Sequence, residues 1–206
     1  MKELKLFCLF PTTVGHFSEA IKLTEAEKNY IQKQQTRLNL GGGGNEHTVD
    51  TYVLDKEELK NIKKSLMECV KVYAEQAIKF DDKKAELYIT QSWLNFNKKN
   101  THHHPHYHPN SILSGVVYLS ENSEHTKLQR FISNKKNVIV LPKKELGIIN
   151  SESFLIETSY GSCVIFPSTL MHSVLPNTTD EVRITLSFNV FVKGEMQGDD
   201  LSKLTI

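Results

Sequence analysis

From about residue 86 the chain breaks into short β-branched and aromatic runs separated by turn-forming residues, and this pattern leaves few folds open. The runs are Leu87 to Phe96, Ser111 to Leu119, Leu128 to Ile132, Val138 to Leu141, Phe154 to Thr158, Ser162 to Phe166 and Arg183 to Val192. Each has the length and composition of a strand, and many short strands with turns between them build a sandwich or barrel. In the last run, Ile184, Leu186, Phe188 and Val190 alternate with Arg183, Thr185, Ser187 and Asn189. One face therefore meets a core, and the other meets water or a polar cavity. In the first run, Gln91, Trp93 and Asn95 likewise share a face.

The first 80 residues read differently. LKLFCLF at 4–10, stopped by Pro11, predicts a short buried strand. Thr24 with Glu27 is a capping-box signature that predicts a helix over about 25–36. Gly41 to Gly44 lack the Gly-Lys-Ser/Thr ending of a phosphate loop and read as a flexible connection. Asp55 with Glu58 gives a second capping box, followed by Leu59, Ile62, Leu66, Val70, Tyr73, Ala74 and Ala77 at helical spacing. Lys60, Lys63, Lys64 and Glu68 form the solvated face of that helix. The expected organisation is one domain over 1–206, with an N-terminal strand and helices (1–80) packed on a barrel core (86–192).

Lys and Arg total 25 against 24 for Asp and Glu, a balance that argues against nucleic acid or an anionic membrane as the main partner. The basic residues Lys135, Lys136, Lys143 and Lys144 read as a solvated connection. Cys8, Cys69 and Cys163 are odd in number and far apart, which suggests neither disulfides nor a thiolate zinc site. No apolar segment approaches the ~20 residues of a membrane span. A soluble protein of a reducing, cytoplasmic compartment is expected.

The chemistry concentrates in THHHPHYHPNSILSGVVYL, residues 101–119, where five of the nine histidines fall within seven residues. Residues two apart on a strand point the same way, so His106 and His108 can reach one ion, and imidazole is the commonest metal-ligating side chain. A His-rich tract without a specific site is the alternative reading. Downstream, YGSCVIFPSTLMHSV supplies His172, the only histidine in the last 80 residues, as the natural third ligand. Eleven residues on, Arg183 shares a strand face with Thr185. A guanidinium fork beside a hydroxyl suits a carboxylate, because it offers two parallel charge-assisted hydrogen bonds and a third donor.

Together HxHPNS-x-x-SGV-x-Y, FPS-x-x-x-H-x-V-x-P and R-I-x-x-SFN resemble the iron(II)- and 2-oxoglutarate-dependent oxygenases, in particular a subgroup found in bacteria and bacteriophages. Ser92 to Asn95 and Leu9 to Pro11 share the likeness, which is densest from Gln91 to Asn189. The resemblance implies a mainly β fold with flanking helices: a double-stranded β-helix, jelly-roll and cupin-like. It implies Fe(II) held by His106, His108 and His172, and 2-oxoglutarate gripped by Arg183 with Thr185 or Ser187 assisting. Tyr118, Asn95 and Asn110 would line the cosubstrate pocket. The implied activity is a dioxygenase hydroxylating a small molecule or a protein side chain with molecular oxygen, in a bacterial or phage-infected cell, with a homodimer left open.

One position departs from that pattern. Most of the superfamily has His-x-Asp or His-x-Glu, and this chain has His108 where the carboxylate would stand. Glu121 or Glu124 supplying an acid, or His104 pairing with His106, are alternatives. So are a cupin-type metalloenzyme that does not use 2-oxoglutarate, suggested by the spacing of Gly161, Pro167 and His172, and a non-catalytic metal-binding or phage structural module.

Overall fold

The computed structural model describes residues 3–120, 128–132, 139, 141–196 and 201–206. The strands are β1 (Gly15–Phe17), β2 (Thr36–Leu38), β3 (Glu46–Thr48), β4 (Ala85–Asn97), β5 (His103–His106) and β6 (Leu113–Tyr118). They continue with β7 (Leu128–Ile132), β8 (Ser153–Glu157), β9 (Cys163–Pro167), β10 (His172–Val174), β11 (Arg183–Met196) and β12 (Leu204–Thr205). The helices are α1 (Glu25–Gln32) and α2 (Lys60–Tyr73). An eight-stranded sheet runs β1-β9-β6-β11-β4-β3-β2 with β12 paired to β11, and a four-stranded sheet runs β5-β10-β7-β8. From β5 onward the chain passes back and forth between the two sheets, which is the winding of a double-stranded β-helix.

Side-chain alternation explains why two separate apolar clusters form. In β6 and β9, Leu113, Val117, Cys163 and Ile165 point outward, where they join Leu186, Phe188 and Val190 of β11 under the helices. Val116, Tyr118, Val164 and Phe166 point inward and meet Phe131 of β7. Every residue of β6 is buried as a result. The stripe Ile62, Leu66, Val70 and Tyr73 of α2 closes the outer cluster, each side chain contributing about 1.5–3 kcal/mol by burial.

The Thr24–Glu27 capping box forms as read, with Glu27 N–H bonded to Thr24 Oγ1 and Thr24 N–H to Glu27 Oε2. Helix α1 is shorter than expected, since Gln35 has left it and Thr36 opens β2. The second capping box does not form. Two 3-10 turns, Val53–Asp55 and Glu57–Leu59, precede α2, and Asp55 pairs with Lys63 at 2.7 Å instead. Tertiary packing dictates this: Val53, Leu54 and Leu59 are buried, and Leu54 N–H is held by Ser92 Oγ at 2.9 Å. Ala77 lies beyond the buried stripe, in a π turn that ends at Lys79 with φ 59°.

Residues 4–10 form no strand, and Leu4, Leu6, Phe7, Leu9 and Phe10 are exposed. The sheet edge beside β9 is taken by β1, where a Cβ on Gly15 would stand 2.7 Å from the Tyr73 ring. A residue without a side chain fits that approach, and the bulky run upstream does not. The expected strand Val138 to Leu141 is not seen in its described members, Ile139 and Leu141, and residues 138 and 140 lie outside the described residues. Glu121, Glu124, Lys135 and Lys136 also lie outside them. Among the described residues no helix is long and apolar enough to cross a membrane.

Candidate metal centre

Irregularities in two strands shape the site. Between β10 and β5 the register moves from His172↔His106 to Val174↔His103, so one residue of β10 faces two of β5. A bulge of this kind re-aims side chains, and here it crowds His103, His104 and His106 together. Between β11 and β4 the register slips in the same way between Phe188 and Val190, at Asn189.

His106 from β5, His108 from the following turn and His172 from β10 present ring nitrogens all within 4.8 Å of one another. Each ring is fixed through its Nδ1. His106 Nδ1 donates to the His104 carbonyl at 2.8 Å, and His172 Nδ1 donates to the Leu170 carbonyl at 2.9 Å. His108 Nδ1 lies 2.6 Å from Asn189 Oδ1, which also accepts from Ser114 Oγ at 3.0 Å. A neutral imidazole carries one proton, so each Nε2 is left with a lone pair.

The Nε2 atoms of His106 and His108 stand 3.2 Å apart. Neither has a proton to give the other, so the approach is repulsive unless a cation lies between them. Two nitrogens each about 2.1 Å from one ion are about 3.0 Å apart at a right angle and about 3.4 Å apart at the tetrahedral angle. The donor set therefore fits a divalent metal. Burial keeps the rings neutral, pushing His106 down to about 4 and His172 down to about 3, and lowering His108 as well. Phe166 packs on His172 at 4.5 Å between ring centroids, and Trp93 stands 5.6 Å from His108.

Asn189 is one end of an inward polar row on β11 that continues through Ser187 and Thr185 to Arg183, all buried. At about 3.4 Å per residue the row spans about 20 Å. Arg183 Nη2 donates at 2.7 Å to the carbonyl of Leu175, the residue after β10, so the guanidinium lies against the strand that carries His172. Burial pulls Arg183 down to about 10. An anion bound there would offset that cost. Tyr118 lies opposite Thr185, and burial pushes its phenol up to about 12. Asn95 bonds Ser187 Oγ at 2.9 Å, while its own Oδ1 is buried and has no partner among the described residues. A buried cation, hydroxyls and an orphaned amide form a cradle suited to a small polar anion such as a dicarboxylate.

Asn110 is exposed, with φ 56°, on the rim of an open cleft of about 390 Å³ that Asn95, Asn189 and the histidines also line. The glycine run, expected to be a flexible connection, is an ordered turn between β2 and β3. His102 N–H bonds Gly43 O at 2.9 Å, and a Cβ on Gly43 (φ +94°) would lie 2.4 Å from His102 O. This docking brings Asn39 to 3.2 Å from His103 Nε2. Asn189 and Ser114, which lie in the family motifs, and His103, which lies in the histidine run, are functional candidates to which the sequence assigned no role. The polar alternation of β11 and the end of the R-I-x-x-SFN motif pointed to Asn189 but not to its partner, which is 81 residues away.

Residues 91–189 match the family model described as "Putative 2OG-Fe(II) oxygenase". No curated protein matches the chain. Among solved structures, it resembles the non-haem α-ketoglutarate-dependent epimerase SnoN from nogalamycin biosynthesis, at TM-score 0.62 and 13% identity, covering 92% of this chain and 84% of that one. HygX from Streptomyces hygroscopicus, solved with nickel, 2-oxoglutarate and hygromycin B bound, aligns at TM-score 0.59 and 12% identity, covering 87% and 82%. A Pseudomonas putida prolyl-4-hydroxylase aligns at 0.57 and 12%, covering 86% and 92%. At these identities the structural likenesses speak to the fold.

Proposed function

We propose, from the membership of this chain in the iron(II)- and 2-oxoglutarate-dependent oxygenases through residues 91–189, that His106, His108 and His172 hold the metal and Arg183 holds the far carboxylate of 2-oxoglutarate. The observation that carries the ligand assignment is the set of three histidines with ring nitrogens within 4.8 Å of one another, each ring held by an acceptor at its Nδ1. When bound, the metal and cosubstrate supply the activation of molecular oxygen, with 2-oxoglutarate going to succinate and carbon dioxide and one oxygen atom going to the substrate.

The chain's own residues bind, orient and shield. The Nδ1 hydrogen bonds fix the tautomers and aim the rings. Phe166, Phe131 and Trp93 keep water from the imidazoles. Arg183, Thr185 and Ser187 line the cosubstrate end, with Tyr118 and Asn95 as its walls. Three neutral imidazoles in place of two and a carboxylate leave the metal one unit more positive, which tightens its hold on an anionic cosubstrate.

This reading keeps the chain as a single unit working in the cytoplasm of a bacterial or phage-infected cell, and a homodimer is compatible with it. The test is succinate release on adding iron(II) and 2-oxoglutarate under air. Succinate formation that is lost in His172→Ala supports the assignment. Metal binding without any 2-oxoglutarate binding or turnover would favour a cupin-type or non-catalytic role.

A further inference from the structure

The open cleft beside the histidines has a lining that selects by charge. The hairpin of β2 and β3 contributes Asn39 and His47, β4 contributes Gln91 and Trp93, and the turn after β5 contributes Tyr107 and Asn110. Among the described residues, no Asp, Glu, Lys or Arg lines it. A charged ligand would leave water here without a counter-charge, a cost that a few carboxamides do not repay.

The same lining is rich in groups that suit hydroxyls. Gln91 and Asn110 make no side-chain hydrogen bond among the described residues, so their carboxamides are available to both donate to and accept from a ligand. Trp93 offers a half-buried indole face beside His108. An aromatic plate flanked by carboxamides is the complement of a ring that is apolar on its C–H face and polar at its edge. A metal dication and a dianionic cosubstrate on three neutral imidazoles sum to zero, and the remaining positive charge, on Arg183 at the far carboxylate, does not line the cleft.

We infer that the primary substrate is an electrically neutral, hydroxyl-bearing ring of the sugar type, seated on Trp93 and held by Gln91 and Asn110. The inference names the substrate class for the centre proposed above and rests on that reading for the chemistry, but not for the binding.

Trp93 is the chain's single tryptophan, so its fluorescence reports on this cleft alone. The protein loaded with nickel(II) and 2-oxoglutarate, and separately the metal-free protein, is titrated with N-acetylglucosamine, glucosamine and glucuronate. These share one ring and differ in charge. Saturable quenching by N-acetylglucosamine, at least tenfold tighter than by either charged sugar and weakened tenfold or more in Gln91→Ala, is expected. Equal or tighter binding of a charged member, or no saturable response to any of the three, overturns the inference. The two readings fail separately: sugar binding without metal or 2-oxoglutarate binding removes the oxygenase assignment, whereas the converse removes only the sugar.

Discussion

Replacing Asn189 by alanine should weaken metal binding without touching a proposed ligand. In the parent, Asn189 Oδ1 receives His108 Nδ1 at 2.6 Å and Ser114 Oγ at 3.0 Å. Ser114 has a second partner in Ser168 Oγ at 2.8 Å, so it loses little. His108 is 6% exposed, and among the described residues no other side chain bonds its Nδ1. Leaving that buried donor unsatisfied costs about 1–3 kcal/mol, and the ring becomes free to turn or to move its proton to Nε2, which removes the lone pair the metal needs. Loss of such an outer partner typically lowers metal affinity about 10–100-fold, or about 1.4–2.7 kcal/mol. Nickel(II) titration calorimetry on parent, Asn189→Ala and Asn189→Asp measures it. The alanine variant should bind 10–100-fold more weakly by that estimate, and the aspartate, which keeps an acceptor, should recover most of the loss. A folded Asn189→Ala with parental nickel affinity would refute the role given to this hydrogen bond.

Arg183→Ala should cut 2-oxoglutarate affinity by about 100-fold or more, through loss of charge-assisted hydrogen bonds, while leaving nickel affinity near parental; calorimetry with each ligand separates the two effects. Metal-free protein should lose stability on acidification. His103, His106 and His172 fall from the unfolded value of 6.5 to about 2, 4 and 3, so the unfolded chain takes up protons first. Their neutral-state stability is full above pH 6.5 and is lost as pH falls toward 4 and below, so thermal midpoints should drop across that window and stay flat from pH 7 to 8. Gly43→Ala puts a side chain at φ +94° and 2.4 Å from a backbone oxygen, so it should destabilise the fold by about 1–2 kcal/mol or more and loosen the hairpin over the cleft. Denaturant melts and the Trp93 emission maximum would register both effects.

How much of this was legible in the sequence follows from how local each signal was. Strands β4, β7, β8, β9 and β11 were marked by their own β-branched and aromatic runs, and each lies close to where the pattern put it. The stripe of α2 and the Thr24 cap are equally local. What failed was decided by distant partners: Asp55 lost its capping role to packing on β4, and the apolar segment at 4–10 lost the sheet edge to β1 because Gly15 alone clears Tyr73. For the site, His106, His108, His172 and Arg183 stood out as residue types at meaningful spacings. Asn189 ends the R-I-x-x-SFN motif, but its role did not show, since an asparagine on an alternating strand looks like any solvated one until His108 is brought above it. Nor did the glycine run reveal that it docks on His102 and carries Asn39 and His47 to the cleft. That depends on the pairing of β2 with β3, two three-residue strands too short to leave a periodic signature.

The central claim is that three imidazoles, with no carboxylate among them, form one metal site beside a buried arginine. A crystal grown with manganese(II) and the inert cosubstrate analogue N-oxalylglycine tests it directly. Metal density bonded to Nε2 of His106, His108 and His172, with the analogue's far carboxylate on Arg183, is the predicted result. A metal held instead by His103 and His104, an acidic residue completing the shell in place of His108, or an analogue lying away from Arg183 would contradict it.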